Sequence, residues 1–83
     1  MANEIRLPAL GQTADEMEII LWHKQVGDRV IIAEPLLVVE TDKAQVDVES
    51  PEEGILLKIV AEPGTVLNTG DLVAYVGNEG EIV

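Results

Sequence analysis

Proline and glycine punctuate this chain throughout, and that spacing is its strongest constraint on fold. Pro8, Gly11, Gly27, Pro35, Pro51, Gly54, Pro63, Gly64, Gly70, Gly77 and Gly80 leave β-branched runs of about four to eight residues. The clearest are Asn3–Leu7, Glu18–His23, Leu36–Thr41, Gln45–Ser50, Ile55–Val60 and Leu72–Val76. No stretch keeps a helical period long enough to compete with them. The pattern is that of an all-β sandwich or barrel. With 83 residues there is room for one domain, spanning 1–83, and for a thin core.

Composition narrows what such a domain can do. Trp22 and Tyr75 are the only aromatic residues, so the core must be aliphatic. Five basic against 16 acidic residues give a net charge of −11. That balance excludes the basic footprint that nucleic acid or an anionic membrane requires. No apolar run approaches the ~20 residues of a membrane-spanning helix, and Met1–Leu10 lacks a signal-peptide layout. With no cysteine and one histidine, the usual ligands of a structural zinc site are missing. The expectation is a soluble, monomeric, non-secreted protein whose charge favours basic partner surfaces.

The chain also repeats itself. Gly27-Asp-Arg-Val30 returns as Gly64-Thr-Val66, one residue shorter. From there an offset of 36 pairs Val30 with Val66, Leu36 with Leu72, Leu37 with Val73, Val38 with Ala74 and Val39 with Tyr75. Upstream an offset of 37 pairs Ile20 with Leu57, Trp22 with Ile59 and His23 with Val60. Pro8-Ala-Leu-Gly11 resembles Pro51-Glu-Glu-Gly54, which makes Asn3–Leu7 the counterpart of Val46–Ser50. Two copies of a four-strand unit predict two four-stranded antiparallel sheets, related by a pseudo-twofold around one aliphatic core. The first half carries six extra residues around Gln12–Met17, expected to form a surface loop.

The centre of the chain reads as a hairpin with Asp42-Lys43 as a two-residue loop. Thr41 then faces Ala44, Glu40 faces Gln45, Val39 faces Val46, Val38 faces Asp47 and Leu37 faces Val48. One face carries Leu37, Val39, Val46 and Val48. The other carries Glu40, Gln45, Asp47 and Glu49, with Leu36 and Val38 on it. A one-residue slip would mix valine with acid on both faces. Neither loop residue is glycine, which favours a type I geometry over a primed turn. Lys43 is expected at the tip, in solvent and charged. Nothing nearby would lower its pKa, so it is a poor nucleophile by itself. Only recognition of the tip by an enzyme would make this lysine special.

Other chemical signals are weak. Trp22 aligns with Ile59 and is expected to pack, leaving His23 on the surface with no partner set for a metal. Asp15-Glu16 and Glu52-Glu53 read as solvated loop pairs, and a domain of this size is not expected to hold a pocket for acid–base chemistry. No phosphate-cradling glycine motif occurs.

Glu40-Thr-Asp-Lys-Ala44 resembles the lipoylation motif of lipoyl domains, the swinging-arm carriers of 2-oxo acid dehydrogenase complexes. The resemblance extends to Leu7-Pro8-Ala-Leu-Gly11, to Glu18-Ile19 with Trp22 and Val26-Gly27-Asp28, and to Gly64-Thr-Val66 with Gly70-Asp71-Leu72. Gly27 and Gly54 stand 16 and 11 residues from Lys43, as in the family. It implies the family's flattened barrel of two four-stranded sheets. Lipoic acid would be joined as an amide to Lys43 by a lipoate ligase or lipoyl transferase, with Asp42 and Ala44 read as part of the tip. Glu40, Thr41, Leu10, Gly11, Gln12 and Thr13 would contribute to partner recognition.

In the function this implies, the domain is a non-catalytic acyl carrier. Its lipoyl group is reductively acylated by a thiamin-dependent decarboxylase (E1), passes the acyl group to coenzyme A at the E2 acyltransferase core, and is reoxidised by the flavoprotein dihydrolipoamide dehydrogenase (E3). The chain would then be the N-terminal part of a longer dihydrolipoamide acyltransferase, in a bacterial or archaeal cytoplasm or the mitochondrial matrix. A carrier of sulfur chemistry without cysteine is consistent if the sulfurs arrive on the cofactor. Biotinyl domains are similar in fold but typically carry Met-Lys-Met where this chain has Asp42-Lys43-Ala44. A biotinyl carrier and an unmodified acidic interaction domain remain the alternatives.

Overall fold

The computed structural model describes residues 2–8, 16–41 and 44–81. Among these residues the short β-branched runs form eight strands: β1 (Asn3–Arg6), β2 (Glu16–Trp22), β3 (Arg29–Val30), β4 (Pro35–Glu40), β5 (Gln45–Glu49), β6 (Gly54–Ile59), β7 (Val66–Asn68) and β8 (Leu72–Gly77). They make two four-stranded antiparallel sheets, ordered β1-β8-β6-β3 and β5-β4-β2-β7. Raising each strand number by four, and returning to β1 after β8, converts one order into the other. The expected all-β fold with a pseudo-twofold is what forms.

The upstream offset of 37 is what forms, and the register differs from the sequence reading only from Val30 onward. Glu18 pairs with Val66 where Ile55 pairs with Arg29, and Ile19 pairs with Val39 where Leu56 pairs with Val76. A single offset of 37 therefore relates the halves from Met17 to Glu40, as these partners show. Val30 corresponds to Leu67 rather than Val66, and Leu36, Leu37, Val38 and Val39 to Val73, Ala74, Tyr75 and Val76. The reason is the two-residue period of a strand: an offset of 36 would set half-buried Val38 against buried Ala74, whereas Tyr75 is half-buried like Val38. Matching valine to valine misled because Val66 faces outward and Leu67 packs on the core.

The irregularities repeat too. β2 gains an extra residue against β4 at Ile20, and β6 gains one against β8 at Leu57. β4 bulges against β5 at Leu36, and β8 against β1 at Val73. A bulge lets two consecutive side chains turn to the same side. Hence Leu36 and Leu37 are both fully buried, as are Val73 and Ala74. Strict alternation had placed Leu36 on the polar face of the hairpin; the bulge puts it in the core.

That core is aliphatic, with Ile5, Leu7, Met17, Ile19, Val30, Leu36, Leu37, Val39, Val48, Leu56, Val73 and Val76 almost wholly shielded from solvent. Trp22 packs against it and donates from Nε1 to the Ala61 carbonyl at 2.7 Å, so its polar edge is satisfied. Met17 lies in β2 and is buried. The protruding loop expected over Gln12–Met17 thus ends earlier, and its remainder falls outside the described residues. Gly54 has φ +146°, and a Cβ there would stand 2.6 Å from the Gly77 carbonyl oxygen. Only glycine permits this approach of β6 to β8.

Candidate functional site

The β4–β5 hairpin has the expected register. Leu37 pairs with Val48, Val38 with Asp47, Val39 with Val46 and Glu40 with Gln45. Beyond the last pair, the Thr41 N–H donates to the Ala44 carbonyl at 2.8 Å. The Thr41 hydroxyl also donates to that carbonyl at 3.0 Å, and accepts the Ala44 N–H at 3.2 Å. Two antiparallel strands are therefore tied together on either side of a connection only two residues long, Asp42-Lys43. Those two residues, and Leu10, Gly11, Gln12 and Thr13, lie outside the described residues. Of the expected site, Glu40, Thr41 and Ala44 are described. Glu40 and Ala44 are exposed, and Thr41 is half-buried.

The hydrophobic face of the hairpin anchors it: Leu37, Val39 and Val48 are in the core and Val46 packs against it. The outward face is acidic. Glu40 lies opposite Glu18 of β2, and Glu16, Asp47 and Glu49 are exposed as well. Like charges on opposed residues oppose sheet pairing, so this face is held by the apolar side beneath it. His23 is exposed as expected, but Nε2 lies 3.0 Å from Asp47 Oδ1, linking the end of β2 to β5. Glu18 was the member of this face that strand pairing across β2 and β4 revealed; in sequence it stands 22 residues from Glu40.

Elsewhere, Lys24 and Glu34 form an ion pair at 2.8 Å. The Lys24 ammonium, with help from the Ile31 N–H, holds the Glu34 carboxyl below its ordinary pKa. The Asn78 N–H does the same for Glu81. Open depressions occur on the surface. One of about 600 Å³ is lined by Leu21, Trp22, Val26, Ile59 and Pro63 among others, and it holds one carboxylate, Glu62. A second, of about 450 Å³, is edged by exposed Asp47 and Glu49 beside Arg6. Among the described residues no group of three or more histidine and acidic side chains could hold a metal ion.

The family profile described as "Biotin-requiring enzyme" matches residues 3–76. The chain is 40% identical over 98% of its length to the dihydrolipoyllysine-residue acetyltransferase component of the pyruvate dehydrogenase complex of Corynebacterium glutamicum, spanning 12% of that protein. It is 41% identical over 92% of its length to the dihydrolipoyllysine-residue succinyltransferase component of the 2-oxoglutarate dehydrogenase complex of Bartonella vinsonii, spanning 18% of it. Its fold matches the lipoyl domain of the 2-oxoglutarate dehydrogenase complex from Azotobacter vinelandii with a TM-score of 0.70 and 26% identity, over 93% of this chain and 98% of that one. With its two matched sheets and its tied central hairpin, the chain belongs to the biotin- and lipoyl-carrier family and, within it, to the lipoyl domains.

Proposed function

We propose that Lys43 is the attachment point of lipoic acid and that the domain serves as the swinging-arm carrier of a dihydrolipoyllysine acyltransferase. The observation that carries this reading is the hairpin, whose strands are tied at Thr41 and Ala44 around the two-residue connection containing Lys43. The amine of Lys43 would form an amide with the lipoic acid carboxyl. When bound, the group supplies a disulfide that can be reduced, acylated and reoxidised. The protein supplies placement, because its doubly layered core gives the arm a rigid base and its tether keeps the carried group at high local concentration. The acidic face beside the tip suits a partner with a basic docking surface.

The relatives named above are components of pyruvate and 2-oxoglutarate dehydrogenase complexes, which supports a thiamin-dependent decarboxylase, an acyltransferase core and a dihydrolipoamide dehydrogenase as partners. Intact-mass measurement after incubation with lipoate ligase, ATP and lipoic acid tests the attachment. A single lipoyl adduct, absent from Lys43→Arg, is expected. An unmodified wild-type domain, or an adduct that persists in Lys43→Arg, contradicts the reading. Streptavidin capture after treatment with biotin ligase would turn it toward biotin. Reductive acylation by pyruvate-specific and 2-oxoglutarate-specific decarboxylases, compared side by side, assigns the acyl group.

A further inference from the structure

Among the described residues, four turns share one construction. In each, the first residue's N–H is bonded by the side-chain carboxylate of the fourth, and the fourth residue's N–H returns to the first residue's carbonyl. They are Gln25–Asp28 (2.8 and 2.9 Å), Ile31–Glu34 (3.1 and 3.1 Å), Asn68–Asp71 (2.9 and 3.0 Å) and Asn78–Glu81 (2.9 and 3.0 Å). The turn at the β4–β5 tip departs from it. Its fourth residue is Ala44, with no side-chain acceptor. The closing group is instead the neutral hydroxyl of the first residue, Thr41, which bonds both the carbonyl and the N–H of Ala44.

The departure has two consequences. Closure by a carboxylate at position 44 would fix an anion immediately beside the lysine; closure by Thr41 leaves that position small and neutral. The connection Asp42-Lys43 also lacks the glycine that two-residue hairpin loops favour. The Thr41 hydroxyl restrains the backbone of Ala44 by local side-chain-to-backbone bonds of the kind serine and threonine form in turns.

We propose that Thr41 is a positioning residue for modification of Lys43, acting through the backbone of Ala44 rather than by touching the partner. This rests on Lys43 being the lipoylation site. Loss of the hydroxyl leaves the strands paired and the Thr41 N–H bonded to Ala44, but widens the range of tip conformations. Only the fraction of tips in the competent conformation can dock, so apparent affinity falls by that fraction while the chemical step is unchanged.

The test uses wild type, Thr41→Val and Thr41→Ser. Valine keeps the β-branched shape without the hydroxyl, and serine restores the hydroxyl. In the lipoate ligase reaction, KM for the domain should rise about five-fold in Thr41→Val with kcat unchanged within about two-fold, and Thr41→Ser should return KM close to wild type. A fall in kcat at constant KM, equal kinetics for valine and wild type, or failure of serine to rescue would overturn the proposal. Hydrogen exchange at the Ala44 amide needs no ligase and should quicken several-fold in Thr41→Val while the Val39 and Val46 amides stay protected. Unchanged Ala44 exchange overturns the proposal whatever the ligase does. If the ligase refused the wild-type domain, the carrier reading would fall separately, and accelerated Ala44 exchange would still establish the hold of Thr41 on the tip.

Discussion

The pseudo-twofold gives the molecule two equivalent edges, β4 with β5 and β8 with β1. They share register and bulge: Val39–Val46 corresponds to Val76–Asn3, Val38–Asp47 to Tyr75–Glu4, and the extra Leu36 to Val73. They differ in what closes and charges them. The first is joined through Asp42-Lys43 and presents Glu40 opposite Glu18. The second pair is not consecutive in the chain; β8 runs into the Asn78–Glu81 turn, and the counterparts of Glu40 and Glu18 are buried Gly77 and half-buried Ile55. One framework thus offers two equal platforms, and covalent closure with surface charge distinguishes the one proposed to carry a group.

The largest effect expected from this difference is all-or-none. A lysine installed at the second edge by Glu79→Lys, in a Lys43→Ala background, should take up no lipoyl group by intact mass. Modification there would show that a lysine near a strand end suffices without the closed hairpin.

Next come two counterpart positions whose roles diverge. Met17 fills the core where its counterpart, Gly54, allows close backbone approach. Met17→Ala should cost about 3 kcal/mol through a cavity, and Gly54→Ala a comparable ~3 kcal/mol through steric clash and backbone strain. Urea midpoints check both, and a neutral Gly54→Ala would remove the reason given for glycine there.

A smaller asymmetry lies at Ala33, which adopts φ 72°, whereas its counterpart Gly70 has φ 92° and open space around a would-be Cβ. Gly70→Ala should cost roughly 1 kcal/mol, and Ala33→Gly should gain about 0.5 kcal/mol, since the left-handed penalty slightly exceeds the added entropy cost of glycine. Thermal melts would contradict this if both substitutions destabilised equally.

The smallest effects are electrostatic. Glu40→Gln relieves the Glu18 opposition and should stabilise by about 0.5 kcal/mol at low salt, fading as salt is added. Glu34 has a lowered pKa, so its ionised form stabilises the fold above the ordinary value of 4.5 and that contribution disappears as the pH falls through the folded value. Glu34→Gln should therefore flatten the acid limb of the stability profile below about pH 4.5; an unchanged limb would remove Glu34 from the acid response.

Much of this was readable in the residues because strands write their pattern locally. The alternation of Val39, Val46, Leu37 and Val48 with Glu40, Gln45 and Asp47 sets the hairpin register, and proline and glycine separate the runs. Leu36 was misplaced because a bulge breaks alternation without changing composition. From Val30 onward the sequence offset of 36 departs from the structural 37 for a related reason: Val66 and Leu67 are both good strand formers, and only packing decides which of two neighbours turns inward. The Thr41 bonds were hidden because a threonine beside a turn looks the same whether its hydroxyl meets solvent, a partner or its own backbone.

The amino-acid order by itself determined an all-β chain, an internal duplication, an aliphatic core and a lysine between two pairable strands, since all of these depend on near neighbours or on period. Tertiary structure decided what depends on residues far apart in the chain. It set Glu18 against Glu40, brought Gly54 to the backbone of Gly77, and turned Leu36 and Val73 into the core. Those are contacts across strands, where a side chain's meaning comes from what the fold places opposite it.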